Sequence, residues 1–174
     1  MAVVFAAATF AAPIPLAQLT NKLYAAPFRK TELPGGFYTA KVLLGEKAKN
    51  AVGRVNIVVD GTDLIAYSIY PSPVTAAKRL SDPKLEGEGS EKMRLVGSVP
   101  GWGKQSHMYV GSVSGENVFG KKVTNGVTML MVLRGPVIVM AFSVSTESEQ
   151  SGDMQDARKL LLAGVKHLDR VRGK

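Results

Sequence analysis

GVTMLMVLRGPVIVMAFSVSTE, residues Gly126 to Glu147, is the most apolar part of this 174-residue chain, and its reading decides the fold. Two apolar runs, Val127 to Leu133 and Val137 to Phe142, flank Arg134-Gly135-Pro136. A charge, a glycine and a proline in the middle of a bilayer span would be costly. Each run instead has the length of a strand and is rich in Val, Thr and Ile. Arg134-Gly135 suits a tight turn, with Gly135 taking the positive φ that such turns need. Pro136 then opens the second strand, where a missing N–H matters least. Because both runs are apolar on both faces, they predict a core hairpin at the centre of a sheet, covered on each side.

Other elements follow on either side. Leu16, Leu19 and Leu23 recur at helical spacing and Pro27 closes that helix. After the turn LPGGF (33–37), FYTAKVLL (37–44) reads as a strand. AVGRVNIVVDG (51–61) alternates Val55, Ile57 and Val59 with Arg54, Asn56 and Val58, a half-buried strand ended by Asp60-Gly61. DLIAYSIY (63–70) is its expected antiparallel partner. In PSPVTAAKRLSDP (71–83), Ser72 is an N-cap, Pro73 suits the first helical position, and Val74, Ala77 and Leu80 share a face. KLEGEGSEK (84–92) reads as a mobile charged loop. MRLVGSV (93–99) and SHMYVGSVS (106–114) are further strands. Near the C-terminus, Ser151 or Asp153 caps a helix whose apolar stripe is Ala157, Leu160, Leu161, Gly164, Leu168 and Val171.

These elements give one α+β domain: an antiparallel β-sheet covered by N-terminal, middle and C-terminal helices. The length suits a single domain, residues 13–174, that buries roughly 70% of its unfolded surface. Residues 1–12 form a separate apolar segment. MAVVFAAATFAAPIPLA (1–17) lacks any charge and resembles the core of a secretory signal, with small residues near a cleavage point. A basic n-region is missing, and the competing reading is an N-terminal strand or buried arm. The dozen apolar residues before Pro13 are too few to span a bilayer. An extracytoplasmic or secreted location is therefore expected, with a cytoplasmic one as the alternative.

The order of the elements resembles that of PsbP-like domains: a helix before FYTAKVLL, a second at SPVTAAKRL (72–80) and a closing helix at GDMQDARKLLLAGVKHL (152–168). The resemblance covers about residues 14–172 and rests on element order, so it carries over no functional residue. It implies an α/β/α sandwich and a non-enzymatic accessory or binding module, although fold alone does not determine function.

The absence of cysteine excludes disulfides, thiolate metal sites and cysteine nucleophiles. Twenty-two basic against fourteen acidic side chains leave a net charge of +8, which favours an anionic surface or partner. Nucleic acid is not the expected one, because stacking aromatics and a recognisable nucleic-acid fold are missing. GENVFGKK (115–122) approaches a phosphate loop. Its last place, where a hydroxyl would bind Mg²⁺, is Lys122, and VTNGVTMLM (123–131) continues as turn and strand rather than helix. His107 and His167 lack further ligands at metal spacing, and no serine sits in a nucleophile elbow. The sequence therefore indicates neither catalytic residues nor a cofactor.

Two groups remain. VPGWGKQSHMY (99–109) places Trp102, Lys104, His107 and Tyr109 where they could rim a small apolar ligand; the competing reading is a core plug and a packed strand. Lys121 and Lys122, with Arg158, Lys159, Lys166 and Arg170, are candidates for a polyanion surface, against the default of a solvated helix face. The expected function is an exported, non-enzymatic envelope or extracellular module that binds a ligand or envelope protein. The alternatives are an enzyme with a dispersed site near His107, Tyr109 and Trp102, or a polyanion-binding protein.

Overall fold

The computed structural model describes residues 15–82, 93–116, 122–145 and 152–173. The apolar segment 1–12, the loop 84–92 and Lys121 lie outside them. Seven strands form one fully antiparallel sheet: β1 (Ala40–Leu44), β2 (Gly53–Val59), β3 (Asp63–Ile69), β4 (Met93–Gly97), β5 (Ser106–Glu116), β6 (Lys122–Arg134) and β7 (Val137–Ser145). Their spatial order is β1-β2-β3-β7-β6-β5-β4. Three helices pack on it: α1 (Leu16–Ala25), α2 (Pro73–Ser81) and α3 (Met154–Val171). Among the described residues, no helix is long and apolar enough to cross a membrane.

The apolar stretch is the expected hairpin. β6 and β7 pair from Gly126↔Ser145 to Arg134↔Val137, leaving Gly135 and Pro136 as the turn. Gly135 has φ +62°, as the first position of a two-residue turn with positive φ requires. Pro136 sits inside the turn rather than opening the strand. The strand expected from Phe37 starts only at Ala40. Before it, the Tyr38 and Thr39 amides donate to the Asp60 carboxylate rather than to a neighbouring strand.

α1 and α3 share one face. Beneath them Val55, Ile57, Ile65, Tyr67, Val137 and Val139 are fully buried. α3 lies close because Gly164 faces the sheet: a Cβ there would come within 2.7 Å of Ile65 Cγ2 and 3.2 Å of Val139 Cγ1. Asp153 caps α3 by accepting from the Gln155 and Asp156 amides. Ser72 caps α2 by accepting from the Thr75 amide, with Pro73 at the first helical position.

α2 lies on the other face, against Met129, Met131 and Ile138 through Ala76 and Leu80. The expected stripe of Val74, Ala77 and Leu80 is rotated: Val74 is 77% exposed, because the sheet takes the Ala76–Leu80 side of the helix. Topology explains how little α2 covers. It carries the chain from central β3 to β4 at the far edge, over β7 and β6. A seven-strand sheet is about 30 Å wide and a helix about 10 Å, so among the described residues one short helix leaves the β1–β3 half of this face without a helical cover. Cover of the central hairpin is accordingly unequal, with Met140 and Phe142 of β7 partly exposed on the α2 face.

Candidate functional site

The residues expected to form a ligand rim divide between the two faces. Trp102 follows Gly101 and precedes Gly103, both at positive φ, in the loop joining β4 to β5. Ser106 pins this loop: its hydroxyl accepts from the Val99 amide and donates to the Gly103 carbonyl. Trp102 packs against the α1/α3 core, with the Arg134 guanidinium 5.5 Å above its ring. Lys104 is exposed. His107 and Tyr109 instead alternate onto the α2 face, where Tyr109 is buried beside Met129 and Met131. Their rings meet edge to face at 6.1 Å, and Tyr109 Oη lies 3.5 Å from His107 Nδ1, too long for a strong hydrogen bond. Burial lowers the His107 pKa and raises that of Tyr109.

The described candidate cations differ in their surroundings. Lys122 begins β6 opposite Glu116. Arg158 donates to the Pro100 carbonyl at 3.4 Å, Lys159 pairs with Asp156 at 2.7 Å, and Lys166 is exposed. Arg170 is committed inside the protein. Its guanidinium makes a two-point ion pair with Glu32 and donates to the Pro27 carbonyl.

His167, expected at the border of the α3 stripe, joins this pair and is fully buried. It stacks on Phe28 at 4.4 Å and lies near Tyr67, whose hydroxyl donates to the Gly164 carbonyl. Arg170 approaches Nδ1 at 3.0 Å, whereas Glu32 is 3.4 Å away. The closer, donating partner makes Nδ1 the acceptor and puts the proton on Nε2. Among the described residues, Nε2 is the buried side-chain atom that lacks a hydrogen-bond partner. Burial lowers the His167 pKa, outweighing the pull of Glu32, so the ring is neutral near pH 7. Burial pushes Glu32 up, but hydrogen bonds from the Arg29 amide and the Arg170 guanidinium hold it below the usual carboxylate range. The charges compensate within the cluster, which ties the segment after α1 to the end of α3.

The uncovered half of the α2 face has a different character. The strand registers align three rungs across β2, β3 and β7: Arg54–Ser68–Ile138, Asn56–Ala66–Met140 and Val58–Leu64–Phe142. Arg54, Asn56, Val58, Leu64, Met140 and Phe142 are all partly exposed, while Ala66 and Ser68 form a closed floor. Arg54 Nε donates to Asn56 Oδ1 at 3.1 Å.

The chain matches no protein-family model, no curated protein and no solved structure. Its functional reading therefore rests on its own geometry. Among the described residues, no group of three His, Asp or Glu side chains is placed to hold a metal ion. Glu32 and Arg54 were not distinguishable as site residues by pattern. Glu32 ends a single 3₁₀ turn, Lys30–Glu32, and Arg54 occupies the polar phase of an ordinary alternating strand. The only signal for Arg54 was the pair of small residues, Ala66 and Ser68, on its expected partner.

Proposed function

We propose that this protein is an exported, non-enzymatic envelope or extracellular module, PsbP-like in architecture, that binds a small apolar ligand or a partner on the α2 face of its sheet. The reading rests on one observation: α2 covers the β7–β6 part of that face, while apolar side chains of β2, β3 and β7 remain partly exposed beside it. Antiparallel sheets with a water-facing side normally alternate to polar residues there. Val58, Leu64, Met140 and Phe142 do not follow that pattern. Met93, Met129, Met131 and Met140 gather on the same side, and thioether side chains repack readily around different ligands.

A neutral fluorescent naphthylamine dye tests the reading. Saturable binding to the full chain, lost in Phe142→Lys with its circular dichroism unchanged, is the expected result. Absence of saturable binding, or equal binding by Phe142→Lys, would remove the proposed surface. Export is tested by mass spectrometry of the protein from its native source, where an intact Met1 would count against a cleaved leader.

A further inference from the structure

We propose that Arg54, Asn56 and Ser68 form the head-group site for a single-chain amphiphilic carboxylate whose tail lies along β3 toward Leu64 and Phe142. This deepens the reading of the α2 face as a binding surface and rests on it. Arg54 and Ser68 are directly opposed in the β2–β3 register, and Asn56 is two residues along the same face. The Arg54–Asn56 bond uses Nε and orients the guanidinium along the strand. Among the described residues, the Arg54 Nη groups, the Asn56 amide nitrogen and the Ser68 hydroxyl have no other hydrogen-bond partner, and Arg54 has no carboxylate partner. Three neighbouring side chains thus offer donors without an acceptor.

Such an arrangement carries a cost that an anion would relieve. Burial pushes the Arg54 pKa down, with the nearby Tyr70 pulling the other way. A partly desolvated cation without a counter-ion loses hydration and gains little in return. The planar guanidinium presents its two Nη groups at a spacing that matches the two oxygens of a carboxylate. A single cation balances a monoanion, which favours carboxylate over a doubly charged phosphate monoester.

The remaining rungs suit the tail. From the Arg54 rung to the Val58 rung is four residues, about 14 Å along the strand; over that length β2, β3 and β7 become less polar, while Lys41 of β1 pairs with Val58 at the far end. Ser68 and Ala66 make a low floor between Arg54 and Asn56 on one side and Ile138 and Met140 on the other. Gly45 closes the β1 side. A Cβ there would lie 2.7 Å from Asn56 Nδ2 and 3.0 Å from Arg54 Cγ, so the strand backbone sits directly against the polar end. Met140, unbranched and partly exposed, is the wall best able to repack around a chain laid over Ala66.

The test measures binding of dodecanoate, dodecanol and dodecyl phosphate to the full chain by calorimetry, for wild type, Arg54→Gln and Arg54→Lys. Wild type is expected to bind dodecanoate more tightly than either of the others. Arg54→Gln should weaken dodecanoate by at least about tenfold, the loss of charge-assisted hydrogen bonds, while leaving dodecanol within about twofold. Arg54→Lys, which keeps the charge but not the planar fork, should fall between, and it serves if the glutamine variant does not fold. Dodecanol binding as tightly as dodecanoate, or dodecanoate binding unchanged in Arg54→Gln, would overturn the head-group site while leaving the apolar surface intact. Tighter binding of dodecyl phosphate would overturn the assignment to carboxylate. Failure of all three to bind would remove the apolar surface and the head-group site together.

Discussion

Gly164→Ala sets two opposed effects against each other, and the structure decides between them. In an exposed helix interior, replacing glycine by alanine stabilises by about 1 kcal/mol, because the unfolded chain loses freedom and the helix gains a better former. At Gly164 the new methyl would meet Ile65 Cγ2 at 2.7 Å and Val139 Cγ1 at 3.2 Å. Both atoms belong to β-branched residues of central strands, fully buried and stiff at χ1, so neither can swing aside. Overpacking of this kind costs about 1–3 kcal/mol, and with two rigid neighbours the upper part of that range applies. The net expectation is a loss of about 1–2 kcal/mol, or a fall in melting temperature of about 2–8 °C for a chain of this size. Urea unfolding followed by far-UV circular dichroism gives the difference directly, with Lys166→Ala on the exposed side of α3 as the control. A cycle with Ile65→Ala sharpens the argument. Removing Cγ2 opens the space that the alanine methyl needs, so the double variant should be less destabilised than the sum of the singles. If Gly164→Ala is as stable as wild type or more so, α3 does not pack on the sheet as closely as described.

Three further outcomes follow from the buried cluster and the α3 cap. His167 has a folded pKa below its ordinary value of 6.5, so the unfolded chain takes up the proton first, and stability should fall as pH drops through that region. His167→Phe, which keeps the stacking on Phe28, should flatten the pH dependence of the urea midpoint around 6.5; an unchanged profile would mean His167 is not the group responsible. Glu32, held low, contributes stability above its ordinary value of 4.5 that is lost as pH falls further. Glu32→Gln leaves the partly buried Arg170 without its counter-charge and should cost about 1–3 kcal/mol at neutral pH, between the values for exposed and buried pairs. Adding Arg170→Met should then cost less than it does in the wild type, and strict additivity would refute the pairing. Asp153→Ala removes the acceptor for two α3 amides and should cost about 1 kcal/mol by thermal melting, whereas Asp153→Asn should recover most of it.

What could be read from the residues was local. The Gly135 turn, the Ser72 and Asp153 caps and the α3 stripe each depend on a few neighbouring positions, and each stands where the pattern placed it. Phe37 to Thr39 read as strand by composition, but the Phe37 amide donates to the Pro34 carbonyl, and Asp60, more than twenty residues away, accepts from the Tyr38 and Thr39 amides. Val74 was placed on the inner side of α2 because apolar spacing cannot specify how a short helix is rotated about its axis. That rotation follows from where β3 ends and β4 begins. The site suffered most from this limit. His167 and Glu32 are 135 residues apart, and Trp102 and Tyr109, only seven apart, join different cores because the chain turns and enters β5 between them.

The sheet order joins these points to the proposed function. Two antiparallel meanders, β1–β2–β3 and β4–β5–β6–β7, meet along β3 and β7, so the link between them must cross one face to reach β4. α2 makes that crossing and covers the strands it passes over. Among the described residues, that connectivity leaves the β1–β3 half of the face without a helix. Had water been its only neighbour, polar side chains at Val58 and Leu64 would satisfy the strand alternation at no cost to the α1/α3 core, whereas Met140 and Phe142 also pack against the smaller core on the α2 side. The chain instead places apolar groups there, beyond a half-buried arginine that has no carboxylate partner among the described residues. Folding gains little from these choices, since a partly exposed apolar side chain contributes only a fraction of its burial energy and the arginine incurs a desolvation cost. The proposed ligand, apolar at one end and anionic at the other, would make both choices favourable together.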